Sequence, residues 1–283
     1  MAKVPAGLEQ LPLRAADDCA MTAQVSVVIP AYEAPALVRA ALNSVVAQEG
    51  VQVQIIVSDD SHGDEIAELV SEVAGAHPDL RWFRGPQTRV AADNWNHGLD
   101  QATAPLKVVL HQDEHYVDRW FLKRAADALA DQAVAAAAGG VRVKGVTRPS
   151  RFALARPLGR LPGGLRLLPL INWLGPTGAV VFRGAHRFDR DFVQLADVEF
   201  YGRVLRGGAL ARLPGTSVVS LGHHPDSITA SIDAHGLAVA ELGRLARMAP
   251  PRISSLEQTA FVAALRLRAA LRRLEPDAFS GNR

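Results

Sequence analysis

Cysteine is almost absent: Cys19 is the only one in 283 residues. A disulfide within the chain is therefore excluded, and a cysteine-ligated zinc has no basis. This fits a reducing compartment. Charge of one sign is also lacking, with 31 Lys and Arg against 29 Asp and Glu, a net of +2. A nucleic-acid partner calls for a clustered basic face, for which so even a balance is no argument. No run approaches the roughly 20 apolar residues that cross a bilayer. The alanines Ala135–Ala138 are closed by Gly139 and Gly140. Met1 to Asp18 carries Glu9, Asp17 and Asp18 and lacks the apolar segment of a secretory leader. Two phosphate-binding signatures are missing as well. Without Gly-x-x-x-x-Gly-Lys-Ser/Thr the chain is no P-loop NTPase, and no Gly-x-Gly-x-x-Gly follows the first strand, which argues against a dinucleotide-dependent dehydrogenase. The expectation is a soluble, cytoplasmic protein.

What is present is an alternation of short apolar runs and helical patterns. Val25 to Ile29 is β-branched and closed by Pro30, the mark of a buried strand. From Pro35 to Gln48, Leu37, Ala41, Leu42, Val45 and Val46 share one helical face. Val53 to Val57 reads as a second strand, Asp64 to Ala76 as a helix and Leu80 to Arg84 as a third strand. Residues 89–102 then read as a helix, Leu106 to Leu110 as a strand and Arg119 to Gln132 as a helix. This order implies βαβ units and a mainly parallel α/β sheet flanked by helices. The second half is less regular. Residues 141–170 read as a long loop rich in Arg, Pro and Gly, Ala179 to Phe182 as a strand, Asp197 to Leu205 as a helix and Ser217 to Leu221 as a strand. From about Ala234 the chain reads as helical. The expected organisation is an extension over 1–23, a catalytic domain over 24–235 and a helical C-terminal tail over 236–283.

Ligands of parallel α/β sheets bind beyond the carboxyl ends of the strands. Two acidic pairs fall there: Asp59-Asp60 after the second strand and Asp113-Glu114 after the fourth. Either pair alone could be a solvated turn or a helix cap. Two such pairs after two buried strands point to an oxygen-ligand site for Mg²⁺ or Mn²⁺, completed by substrate phosphates.

The motifs resemble those of glycosyltransferase family 2, which has the GT-A fold and inverts configuration. Val25-Ser-Val-Val-Ile-Pro-Ala-Tyr32 is similar to its opening strand and Val57-Ser-Asp-Asp60 to its nucleotide-binding turn. Asn94-Trp-Asn-His-Gly98 and Leu106-Lys-Val-Val-Leu-His-Gln-Asp113 resemble the helix and strand leading to its metal motif. Asp197-Val-Glu-Phe-Tyr-Gly-Arg203 resembles the segment with its catalytic base, and His224-Pro-Asp-Ser-Ile-Thr229 a late His-x-x-Ser-x-Thr segment. The order holds over about residues 24–230.

The resemblance implies roles. Pro30, Tyr32, Asp59 and Asp60 would hold the nucleoside of a nucleotide sugar, with Asn94, Asn96 and Gln112 as further donor contacts. Asp113 and His224 would hold a divalent metal, Mn²⁺ or Mg²⁺. Asp197 would be the general base for an acceptor hydroxyl on a saccharide, a lipid-linked saccharide or a small natural product. Trp173, Thr177 and Glu199 are candidates on the acceptor side. Asn94 and Asn96 read equally well as surface or capping amides, and Trp173 as a packing residue.

Two departures stand out. The metal motif, commonly Asp-x-Asp, reads His111-Gln112-Asp113, and Ala196 stands where an acid often precedes the base. Glu199 then competes with Asp197, although on a helix the two lie on different faces. His223, beside His224, would point to the opposite face of a strand. The segment Arg156 to Leu174 and the basic tail leave open contact with the inner face of a membrane, against the plainer reading of packed elements with solvated arginines. Two other functions remain. One is a sugar-phosphate nucleotidyltransferase, which would need a glycine-rich basic loop where Pro30-Ala-Tyr-Glu-Ala34 stands. The other is a degenerate nucleotide-sugar or partner-binding protein without turnover.

Overall fold

The computed structural model describes residues 23–75, 77–144, 157, 168, 172–221 and 234–247. A strand covered on both faces needs a continuous apolar run, and β1 (Val25–Ala31) is buried at all seven positions. It is flanked by β2 (Val53–Asp59) and β4 (Leu106–Val109), both parallel to it, and β3 (Leu80–Arg84) lies parallel outside β2. The crossovers are α1 (Pro35–Val46), α2 (Glu65–Ala74) and α3 (Ala91–Asp100). Alternation along β1 divides the core. Val25, Val27 and Ile29 pack with Val38 and Leu42 of α1 and with Phe121 and Leu122 of α4 (Phe121–Ala128). Val28 packs on the other face with Ala92 and Leu99 of α3 and Phe200 of α5 (Ala196–Val204). Enclosing a side chain such as Leu42 contributes about 1.5–3 kcal/mol. Gly98 lets α3 lie close on the sheet, since a Cβ there would sit 2.4 Å from Val28 Cγ1.

The rest of the sheet is mixed. The order is β3-β2-β1-β4-β7-β6-β8-β5, with β5 Glu114–Tyr116, β6 Val134–Val143, β7 Val180–Arg183 and β8 Ala209–Ser220. Strand β7 runs antiparallel to both β4 and β6, β6 pairs in parallel with β8, and β5 antiparallel with β8. The sequence reading differs here. The alanine run and the start of the expected loop form one ten-residue strand, β6. Alanine and glycine have little strand preference, and this strand is set by partners on both sides. Gly139 is needed at the crossing, because a Cβ would lie 2.6 Å from Ser217 Oγ and 2.7 Å from Phe121 Cε2. Strand β8 begins eight residues before the expected Ser217.

Helix α6 (Ala234–Arg247) is packed against α5's entry. Its buried Glu241 accepts hydrogen bonds from the backbone N–H groups of Val193 (2.7 Å), Gln194 (3.3 Å) and Leu195 (2.8 Å). Arg244 pairs with Asp191 at 3.0 Å. The N-terminal extension as far as residue 22, most of 145–171 and the chain beyond 247 lie outside the described residues. Among the described residues no helix is long and apolar enough to cross a membrane.

Candidate active site

Because β1, β2 and β4 are parallel neighbours, their carboxyl ends and both acidic pairs open on one edge of the sheet. The two aspartates of the first pair differ. Asp59 is fully buried; its Oδ1 accepts from Ser61 N at 3.0 Å and its Oδ2 from Trp82 Nε1 at 3.1 Å, with Arg84 at 3.7 Å. It braces the turn. Asp60 Oδ1 accepts from Gln87 N at 2.6 Å, and no described residue hydrogen-bonds its Oδ2. Gln87 has φ 58°, and Gly85 brings the loop so near that a Cβ would sit 2.7 Å from Asp60 Oδ1. Pro30 is enclosed in β1 opposite Ser58, while Tyr32 is 46% exposed at the strand's end. Beside it Glu33, at φ 50°, accepts from His62 N (3.0 Å) and Nδ1 (2.6 Å), and these bonds hold its carboxyl below the usual range.

The three amides are engaged with the protein. Asn94 is buried; its Oδ1 accepts from Ser58 Oγ at 2.6 Å and its Nδ2 donates to Ala31 O at 3.2 Å. Asn96 exchanges two bonds with Phe188, donating to its carbonyl (2.9 Å) and accepting from its N–H (2.7 Å). Gln112 does the same with Tyr32, at 2.8 and 3.0 Å, and so ties the end of β4 to the end of β1. Asn94 is neither a surface nor a capping amide.

The second acidic pair and α5 meet. Glu114 is 3% exposed and its Oε2 accepts from Gly178 N at 3.1 Å. Burial pushes its carboxyl well above the usual range, and the charges of Asp113 and Asp197 push it further. Gly178 allows this contact, since a Cβ would lie 2.3 Å from Glu114 Oε2. His111 packs edge-on against Trp95 at 4.8 Å, and burial lowers its basicity while Asp113 raises it.

Asp197 stands in the first turn of α5, where the helix dipole favours a carboxylate. Its Oδ2 accepts from Asn172 Nδ2 at 3.2 Å. One turn on, buried Tyr201 donates to Gly175 O at 2.9 Å, and its phenol is pushed up by burial and then by Asp197 and Glu114. Glu199 is buried in a two-point ion pair with Arg203, at 2.5 and 2.7 Å. Trp173 is 2% exposed with the Arg212 guanidinium 4.8 Å from its ring centroid, so that face is covered. Thr177 is buried, and no described residue hydrogen-bonds its Oγ1. His224 lies outside the described residues. The sequence reading passed over Asn172 and Tyr201, and took Glu114 only as one of an acidic pair. Asn172 had one signal, a glycine three residues on that the amide can clasp.

Among the described residues no group of three or more His, Cys, Asp and Glu is arranged to hold a metal. Mg²⁺ and Mn²⁺ are usually held by one or two carboxylates together with substrate phosphates.

Comparison with known proteins bears on this geometry. The glycosyl transferase family 2 model matches residues 26–189. The chain belongs to glycosyl transferase family 2. An uncharacterized protein of Mycobacterium tuberculosis is 27% identical over 208 residues, 67% of this chain and 64% of that protein. A Campylobacter jejuni GalNAc(5)-diNAcBac-PP-undecaprenol beta-1,3-glucosyltransferase is 27% identical over 92 residues, 32% of this chain and 30% of that enzyme. The chain thus spans less than two thirds of either relative. Among solved structures, a mannosyltransferase of Pyrobaculum calidifontis in complex with GDP-Man and Mn²⁺ superposes with TM-score 0.62 at 19% identity, over 93% of this chain and 79% of that one. S. aureus TarS, residues 1–349, gives 0.59 at 14% identity, over 92% and 75%. These likenesses are of fold, and the fold of this family 2 chain is GT-A.

Proposed function

We propose that this chain transfers a sugar from a nucleotide-sugar donor to an acceptor hydroxyl with inversion, within a catalytic unit over 24–235 whose tail, 236–283, begins with the helix that braces α5. The observation that carries this reading is the edge of the sheet where the parallel strands β1, β2 and β4 end, which places the turns of Asp60 and Asp113 side by side. Family membership and a fold-level neighbour holding GDP-Man and Mn²⁺ support it.

The donor's nucleoside lies across Pro30, Tyr32 and Asp60, whose Oδ2 no described residue hydrogen-bonds. The amides of Asn94, Asn96 and Gln112 act one step back, fixing the strand ends and loops that form this floor. A divalent ion, Mn²⁺ or Mg²⁺, would be held by Asp113 with the donor diphosphate and His224, and would supply charge neutralisation for the leaving group. Asp197 takes the proton of the acceptor hydroxyl as that oxygen bonds to the anomeric carbon. The bond from that carbon to the diphosphate oxygen breaks in the same step, and no covalent sugar–enzyme intermediate is needed. The acceptor is a saccharide, a lipid-linked saccharide or a small natural product, and the reaction runs on the cytoplasmic side.

The test is release of nucleoside diphosphate from UDP-glucose, UDP-GlcNAc and GDP-mannose with Mn²⁺ or Mg²⁺, with the product's anomeric configuration read by NMR. Turnover of one donor with inversion is expected, falling by about 10²–10⁴ in Asp197→Asn. Full activity of that variant overturns the base assignment. Binding without turnover of any donor favours the degenerate, ligand-holding reading.

A further inference from the structure

We infer that Asn172 is a positioning residue for Asp197, helping to set the direction of its carboxylate; this rests on Asp197 being the base. The amide of Asn172 is oriented by contacts that allow only one assignment of its two ends. Its Oδ1 accepts from Gly175 N at 3.0 Å, and its Nδ2 donates to Gly175 O at 3.0 Å and to Asp197 Oδ2 at 3.2 Å. An N–H must meet an oxygen, so the nitrogen end faces Asp197.

The clasped residue is itself held. Gly175 has φ 94°, a left-handed conformation that favours glycine. Its carbonyl also accepts from Tyr201, four residues beyond Asp197 on α5. Asp197, Asn172, Gly175 and Tyr201 therefore form a closed ring: the helix carrying the base grips the loop that aims it. The same loop is pinned at its far end by Gly178 N donating to Glu114, next to Asp113. The segment 172–178 thus spans the proposed metal side and the base side. A donor on one carboxylate oxygen fixes the plane of the group and favours its charged form. A base misaimed by a fraction of an ångström loses rate without losing donor affinity.

The experiment compares Asn172→Ala, Asn172→Asp and Asp197→Asn in the full chain, by nucleoside diphosphate release from the nucleotide sugar it turns over fastest. Asn172→Asp is isosteric and still accepts from Gly175 N, so it carries the test should the alanine variant not fold. Both Asn172 variants are expected to lower kcat roughly 10- to 100-fold with donor KM within about twofold. In Asn172→Asp two carboxyls face each other, so the acid limb of the rate profile moves to higher pH while the lowered plateau remains. Wild-type kcat in both, with Asp197→Asn inactive, overturns the inference and leaves the base reading standing. Wild-type kcat in Asp197→Asn overturns the base reading and the inference with it. Loss of kcat together with weakened donor binding and a lowered Tm marks Asn172 as structural only, and also overturns the inference.

Discussion

Leu195 donates its backbone N–H to Glu241 Oε2 at 2.8 Å, one residue before the helix that carries Asp197 begins. Val193 and Gln194 donate to the other oxygen, so one carboxylate from α6 gathers the free N–H groups at the entry to α5. It braces the turn that leads into α5 from a distant part of the chain, as buried backbone donors require a partner. Glu241→Ala leaves these donors without their buried partner and should lower unfolding free energy by about 3 kcal/mol. Glu241→Gln, which keeps one acceptor, should lose less. Urea denaturation of the three proteins checks this; equal stabilities would contradict it.

Gly98 makes a second prediction. In an open helix, alanine would gain up to about 1 kcal/mol over glycine. Here the added methyl meets Val28 Cγ1 at 2.4 Å and Ser58 Cβ at 3.2 Å, both on the rigid sheet. Overpacking of this kind costs about 1–3 kcal/mol, so Gly98→Ala should be net destabilising. A raised Tm in thermal denaturation would show that α3 can lift from the sheet freely.

The pH dependence of stability has a local source in His186. Burial pushes its imidazole below the usual value of 6.5, and Arg203, Arg206 and Lys107 push it further. The unfolded chain therefore binds a proton that the fold resists. The stability tied to this group is present above about pH 6.5 and lost as pH falls through the depressed folded value. His186→Phe keeps a ring against Phe182 and Phe200 and removes the titration. Between pH 8 and pH 5 the wild type should lose more unfolding free energy than this variant. Parallel losses would contradict the assignment.

The parallel half of the fold and the site's two acidic turns were legible because one signal served both. Val25–Ile29, Val53–Val57 and Leu106–Leu110 are apolar throughout, as strands buried on two faces must be, and two of these runs lead straight into acids. The half around β6 was not. Its Ala-Ala-Ala-Ala-Gly-Gly run has no side-chain pattern to read, and its strand character comes from β7 and β8. The amides show the same limit. Asn94, Asn96 and Gln112 sit where a donor contact is plausible by motif, yet their partners lie 63, 92 and 80 residues away in sequence. No local pattern separates an amide that touches a ligand from one that ties two strands. Asn172 carries no pattern of its own, and its neighbour Trp173, the more conspicuous side chain, is covered by Arg212.

The central claim is a nucleotide-sugar site whose diphosphate end lies at Asp113. Its most direct test is thermal shift of the full chain with UDP, GDP, dTDP and CDP, each with Mn²⁺, with Mg²⁺ and with a chelator. The account predicts that one nucleotide raises Tm in the presence of metal, that the rise is lost in Asp113→Ala, and that it survives in Asp197→Asn. No rise with any nucleotide under any condition, or a rise unchanged by chelator and by Asp113→Ala, would contradict it.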